Sequence, residues 1–105
     1  MKKLLWLDDI RNPIDYVNDT DFEVIWVKSY NEFINYLNLP IQFPDMISFD
    51  HDLGEDKTGY DCAKYLVDMC MNMKLKLPDF KVHSANPVGK ENIECLLNNY
   101  KKYYS

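Results

Sequence analysis

Asp8 and Asp9 follow the apolar run Leu4-Leu5-Trp6-Leu7, and Asp50, His51 and Asp52 follow the apolar run from Met46 to Phe49. His83, Ser84 and Asn86 stand at the end of a third apolar stretch that begins at Phe80. Carboxylates gathered in one place repel one another unless a cation sits among them. Asp8, Asp9 and Asp50, with Asp52 as a further donor, offer hard oxygen ligands of the kind that suit Mg²⁺ or Mn²⁺. Mg²⁺ keeps part of its water and is commonly completed by a substrate phosphate. Arg11 and Lys90 are candidate partners for phosphate oxygens, with Ser84 and Asn86 as hydrogen-bonding groups beside them. His51 and His83 carry imidazoles, which titrate near neutral pH and serve as general acids or bases. Asp50 is alternatively a nucleophile able to form an aspartyl-phosphate. Each residue alone also has an ordinary reading as a turn residue, a cap, a structural histidine or a solvated charge. The functional reading therefore rests on their joint position, and that depends on the elements that carry them.

Those elements alternate. Lys3 to Leu7 reads as a buried strand, and Phe22 to Val27 as a second, rich in aromatic and β-branched residues. Ser29 and Glu32 have the spacing of a capping box, and Tyr30, Phe33, Ile34 and Leu37 then fall on one helical face ended by Pro40. Met46 to Phe49 is a third strand. Thr58 and Asp61 can cap the next helix, whose core stripe is Tyr60, Ala63, Val67 and Cys70, flanked by Leu66. Phe80 to Ser84 is a short fourth strand. Asn86-Pro87 reads as an N-cap with proline in the first helical position, and Ile93, Leu96, Leu97 and Tyr100 give the last helix its face. The link from Ile10 to Thr20 is polar and turn-rich, with a short helix expected around Ile14 to Val17.

Strands that alternate with helices imply right-handed crossovers and a mostly parallel sheet. In such sheets ligands bind beyond the carboxyl ends of the strands. The acidic, imidazole and hydroxyl groups all follow strand ends, so the topology predicts their convergence. The backbone amides that open the last helix, from Val88 onward, could face an anion there.

With 105 residues, the chain has room for one domain spanning 1–105 and hardly for two. Two Trp, eight Tyr and five Phe within a 47% hydrophobic composition argue for a packed core. A net charge of −5 speaks against duplex nucleic acid as a partner, since such binders show a basic face. No stretch reaches the roughly 18 apolar residues of a membrane span, and Asp8-Asp9 cuts short the signal-like start Met1-Lys2-Lys3. Cys62, Cys70 and Cys95 lack CxxC spacing, so reduced thiols in a cytoplasmic protein are expected rather than a zinc site.

The arrangement resembles the receiver domain of response regulators. That family has an acidic pair after its first strand, an acceptor aspartate after its third, and Ser or Thr at the end of its fourth. Asp8-Asp9, Asp50 and Ser84 stand in these positions, and Gly59 in the place of the glycine that follows the acceptor. The lysine-bearing fifth strand of receivers has no counterpart in this sequence, which speaks against ordinary phosphorelay signalling. A closer resemblance is to the cyclic-phosphate processing receiver domain family, through "LWLDDIRNP", "SFDHDLG", "TGYDCAK" and "VHSANPVGKENI". It implies a receiver-like, flavodoxin-like three-layer α/β sandwich, reduced to about four parallel strands in the order 2-1-3-4. It further implies metal-dependent work on a cyclic phosphate or phosphodiester in a nucleotide or RNA end. A phosphoacceptor domain using Asp50, or a module that binds a nucleotide or a protein without chemistry, are the alternatives. In that last class Tyr100, Tyr103 and Tyr104 could stack on a ligand, although Tyr100 fits the core and the others a solvated helix end.

Overall fold

A computed structural model describes residues 1–18, 21–40 and 43–104. Four strands form one sheet: β1 (Lys2–Leu7), β2 (Phe22–Val27), β3 (Met46–Phe49) and β4 (Asp79–Val82). All pairings are parallel and the spatial order is β2-β1-β3-β4, as expected. The helices are α1 (Tyr30–Leu37), α2 (Gly59–Met73) and α3 (Pro87–Tyr104).

The connections determine which face each helix covers. From β2 to β3 and from β3 to β4 the chain moves in one direction across the sheet. Right-handed crossovers then put α1 and α2 on the same side, and α3 joins them there through Ile93 and Leu97. There the odd-numbered residues Leu5, Leu7, Ile47 and Phe49 meet Phe33, Leu37, Leu66, Val67, Ile93 and Leu97 in one buried cluster. From β1 to β2 the chain moves the other way, so its link crosses the opposite face. The third layer is thus reduced to this link. Its ordered turn is a 3-10 helix at Pro13–Asp15, shorter than the expected helix and earlier in the chain. Asn12 caps it by accepting from the Ile14 amide at 3.0 Å, and Pro13 favours the start of a turn but cannot extend one backwards. The end of the link, at residues 19 and 20, lies outside the described residues.

Local signals explain the helix ends. Ser29 Oγ accepts from the Glu32 amide at 3.1 Å, while the Glu32 carboxylate reaches back to the Lys28 amide. Thr58 and Asp61 form a complete capping box. On α1 the packed stripe is Tyr30, Phe33, Tyr36 and Leu37, so Tyr36 takes the place expected of Ile34. In α3, Ile93, Leu97 and Tyr100 are buried while Tyr103 is exposed; the side chain of Tyr104 lies outside the described residues. Cys62 and Cys70 are buried free thiols, and burial pushes both up, Cys70 to about 11, so neither is a nucleophile near neutral pH. Cys95 is also free but exposed. Among the described residues no helix is long and apolar enough to cross a membrane.

Strand register sets the height of the site. Leu7 pairs with both Val27 and Phe49, and Phe49 with Val82, so the strands end level. The ladder runs one residue further: Asp8 N donates to Val27 O, Asp50 N to Leu7 O and His83 N to Phe49 O, at 2.9 to 3.1 Å. β4 therefore ends at Val82 rather than Ser84, and His83 is its last ladder donor. The next residues leave the sheet together.

Candidate metal and phosphate site

Asp8 is fully buried at the end of β1, and each of its oxygens is held. Oδ1 accepts from the amides of Ile10 and Arg11 at 2.8 and 2.9 Å. Oδ2 accepts from His83 Nε2 at 2.9 Å and from Arg11 Nη1 at 3.2 Å. Burial pushes its carboxyl up, but the two amides, His83 and Arg11 outweigh that and hold it below the ordinary aspartate range. The Trp26 indole also ties down the main chain here, donating to the Asp8 carbonyl at 2.7 Å.

Asp50 shares this edge. Its side chain is 7% exposed, and Arg11 Nη1 stands 3.7 Å from Oδ1. Burial and the neighbouring Asp8 charge raise its carboxyl above the usual value, while Ser84 and the His51 amide oppose the shift. Asp9 completes the group: one oxygen from each of Asp8, Asp9 and Asp50 lies within 4.8 Å of the others. The guanidinium of Arg11 meets two of these three carboxylates, Asp8 and Asp50, so the group carries excess negative charge that a divalent ion would offset. Bonds of about 2.1 Å put octahedral oxygen ligands roughly 3 to 4 Å apart, so the cluster fits Mg²⁺ or Mn²⁺ after modest closure. Asp8 is held on both oxygens, whereas Asp9 is partly exposed.

Asp52 lines the same cleft, of about 370 Å³, together with Arg11 and Ser84. It stands outside the group of three, however. Its oxygens meet His51 Nδ1 at 3.0 Å and Asn86 Nδ2 at 3.3 Å, and its side chain is largely exposed. Asp50 and His51 diverge, as expected of neighbours in extended chain. The Asp50 carboxylate turns to Asp8, whereas the His51 imidazole lies on the first turn of α3. A Cβ at Gly89 would collide with that ring, so glycine leaves the space the ring occupies. Among the described residues His51 Nε2 has no hydrogen-bond partner, and Asp52 orients the ring through Nδ1.

His83 differs on this point: both of its nitrogens are engaged, Nε2 by Asp8 and Nδ1 by Ser48 Oγ at 2.7 Å. Burial holds its pKa below the usual 6.5, against the pull of Asp8, so the ring is neutral near pH 7. Asn86 is committed to the local frame, with Oδ1 capping α3 at the Gly89 amide and Nδ2 on Asp52. Ser84 accepts from the Asn86 amide. Lys90 is exposed on α3 and does not line the cleft.

Several residues of the site carried no chemical signal in the sequence. Trp6, Trp26 and Ser48 look like strand residues, and Gly54 and Gly89 like loop and helix filler. Ser48 offered the one hint, a hydroxyl in an otherwise apolar buried strand. Cavity size does not single out the acidic cleft, because one of about 360 Å³ lies at the opposite end of the strands beside Phe43 and Pro78. Convergent carboxylates do.

A comparison with curated proteins found no match. Among solved structures, one described as a yeast Spc42 trimeric coiled-coil segment fused to another structure aligns with a TM-score of 0.63 and 21% identity. The alignment covers 90% of this chain and 61% of that one, and at this identity it speaks for the fold alone. The model of the cyclic-phosphate processing receiver domain matches residues 3–99. The strand order, the acidic strand ends and this match over nearly the whole sequence agree: the chain belongs to the cyclic-phosphate processing receiver domain family.

Proposed function

We propose that the acidic cleft holds Mg²⁺ or Mn²⁺ and opens a cyclic phosphate or phosphodiester in a nucleotide or RNA end. The observation that carries this reading is the grouping of Asp8, Asp9 and Asp50 within 4.8 Å, beside the Arg11 guanidinium. Family membership supports the substrate class. Asp8, Asp9 and Asp50 would hold the ion, with Asp8 fixed on both oxygens by its neighbours. When bound, the ion neutralises charge that builds on the phosphoryl oxygens.

The protein's own groups do the rest. Arg11 is one-third exposed and keeps donors free for a phosphate oxygen beyond its contacts with Asp8 and Asp50. Ser84 presents its hydroxyl at the same edge, whereas Lys90 stands outside the cleft on α3. His51, oriented by Asp52, takes the proton from the attacking water. The water oxygen bonds to phosphorus, one P–O ester bond breaks, and the proton passes to the departing oxygen. At a 2′,3′-cyclic phosphate the ester and water thus become a phosphate monoester and a free hydroxyl.

The test is incubation of purified protein with 2′,3′-cyclic nucleotides and cyclic dinucleotides in Mg²⁺ or Mn²⁺, followed by chromatography of products. Turnover above an Asp50→Ala control is expected for at least one substrate. None across the panel contradicts the reading.

A further inference from the structure

Trp6 and Ser48 are cross-strand partners in the β1–β3 register, and Ser48 pairs in turn with Lys81 on β4. His83 lies two residues beyond Lys81 and so shares its face. This is the sheet face that the helices leave uncovered. The register brings the three side chains into one unit. The His83 ring lies flat on the Trp6 indole, with centroids 3.9 Å apart and planes 6° from parallel. Ser48 Oγ meets its Nδ1 at 2.7 Å and Asp8 Oδ2 its Nε2 at 2.9 Å. The indole is itself tied down, because Trp6 Nε1 donates to Arg11 O at 2.9 Å. Trp6 and Ser48 are each only 3% exposed.

The donor pattern settles the tautomer. An ionised Asp8 can only accept, so the imidazole proton sits on Nε2. In the neutral ring Nδ1 is then an acceptor, and the Ser48 hydroxyl is its donor. No lone pair and no proton of this ring is left for a substrate.

We propose that His83 is a positioning residue, clamped by Ser48 and Trp6, that fixes the Asp8 carboxylate for the cation and transfers no proton. This rests on the cation reading of the cleft. It assigns proton transfer to His51 alone and gives Trp6 and Ser48 a role in cation affinity from the far side of the ring. Groups that orient a metal ligand typically contribute 10- to 100-fold in affinity.

Two measurements test it. Long-range ¹H–¹⁵N correlation spectra of the wild-type protein at pH 7.5 are expected to show the His83 proton on Nε2, and its placement on Nδ1 overturns the proposal. Mn²⁺ binding, read by electron paramagnetic resonance, is expected to weaken about tenfold or more in His83→Ala and to recover in His83→Gln, whose amide can donate to Asp8. Ser48→Ala is the milder variant and is expected to weaken Mn²⁺ binding while the circular dichroism spectrum is retained. Wild-type affinity in His83→Ala overturns the positioning role alone. A His83→Gln protein that binds Mn²⁺ normally yet loses all turnover overturns it too, because proton transfer is then the missing function. A wild-type protein that binds no Mn²⁺ overturns the cation reading and this proposal with it.

Discussion

The Asp9 carboxylate rests directly on Gly54: a Cβ at residue 54 would lie 2.9 Å from Asp9 Oδ2. Gly54 also has φ +69, in the left-handed region that other residues enter at a cost. Glycine at this position therefore frees both the turn and the carboxylate above it. Gly54→Ala is expected to lower stability by about 1 to 2 kcal/mol, the usual cost of a left-handed non-glycine residue. It is also expected to weaken Mn²⁺ binding, because Asp9 must move. Urea unfolding and Mn²⁺ titration of the same variant check both effects, and unchanged affinity would remove Asp9 from the ligand set.

Gly89 gives a second test, with effects of opposite sign. Alanine inside a helix normally gains about 1 kcal/mol over glycine. Here its Cβ would collide with the His51 ring and displace it. Gly89→Ala is expected to leave stability nearly unchanged and to lower turnover together with His51→Ala, which should cost about 10²-fold or more. Neither should alter Mn²⁺ affinity, since His51 does not touch the three carboxylates. Equal turnover by wild type and His51→Ala would exclude His51 as the proton-transfer group.

Asp50→Asn should separate folding from binding. Burial and the Asp8 charge raise the Asp50 carboxyl above its ordinary value, so its ionised form is disfavoured in the folded chain. Removing that charge is expected to stabilise the ion-free protein by about 1 kcal/mol, as often seen when a functional group is neutralised. The same change should abolish Mn²⁺ binding. Thermal melts with and without Mn²⁺ read both effects. A destabilised Asn variant would mean that Arg11 already compensates the charge.

Stability should also fall below neutral pH, for reasons that can be worked out in sign. His83 has a folded pKa below the 6.5 of an unfolded histidine. Its contribution is complete above 6.5 and declines as pH drops from there toward the folded value, because the unfolded chain binds the extra proton. Asp8 is lowered from 3.8, so its contribution is present above that value and is lost as pH falls through the folded one. Asp50 works against both, gaining stability as it protonates at its raised value. Urea unfolding against pH should show a decline beginning near 6.5 that flattens in His83→Gln. An identical profile in that variant would show that His83 does not titrate as described.

The parallel sheet and the placing of Asp8 and Asp50 just past strand ends were legible from apolar runs, caps and the alternation of elements, whereas the strand order came from the family resemblance and the end of β4 fell two residues earlier than expected. That Asp50 and His51 would diverge was legible from the alternation of extended chain. What His51 would meet was not, because Gly89 acts through space that it leaves empty. The engagement of His83 was equally hidden. It depends on Ser48 standing one residue below the strand end on the neighbouring strand, and on the link carrying Arg11 O back to the Trp6 indole. Asn86 shows a different limit: a residue read as a phosphate ligand and as a cap uses its side chain for the cap and for Asp52. Loop closure, rather than pattern, decides such cases.

The most direct measurement is a crystal grown in Mn²⁺, with anomalous differences recorded at the manganese edge. One peak is expected among Asp8, Asp9 and Asp50, about 2.0 to 2.2 Å from an oxygen of each, with Asp8 still held by His83. A map without that peak, with Asp9 and Asp50 turned away from each other at millimolar Mn²⁺, would contradict the cation site and the chemistry built on it.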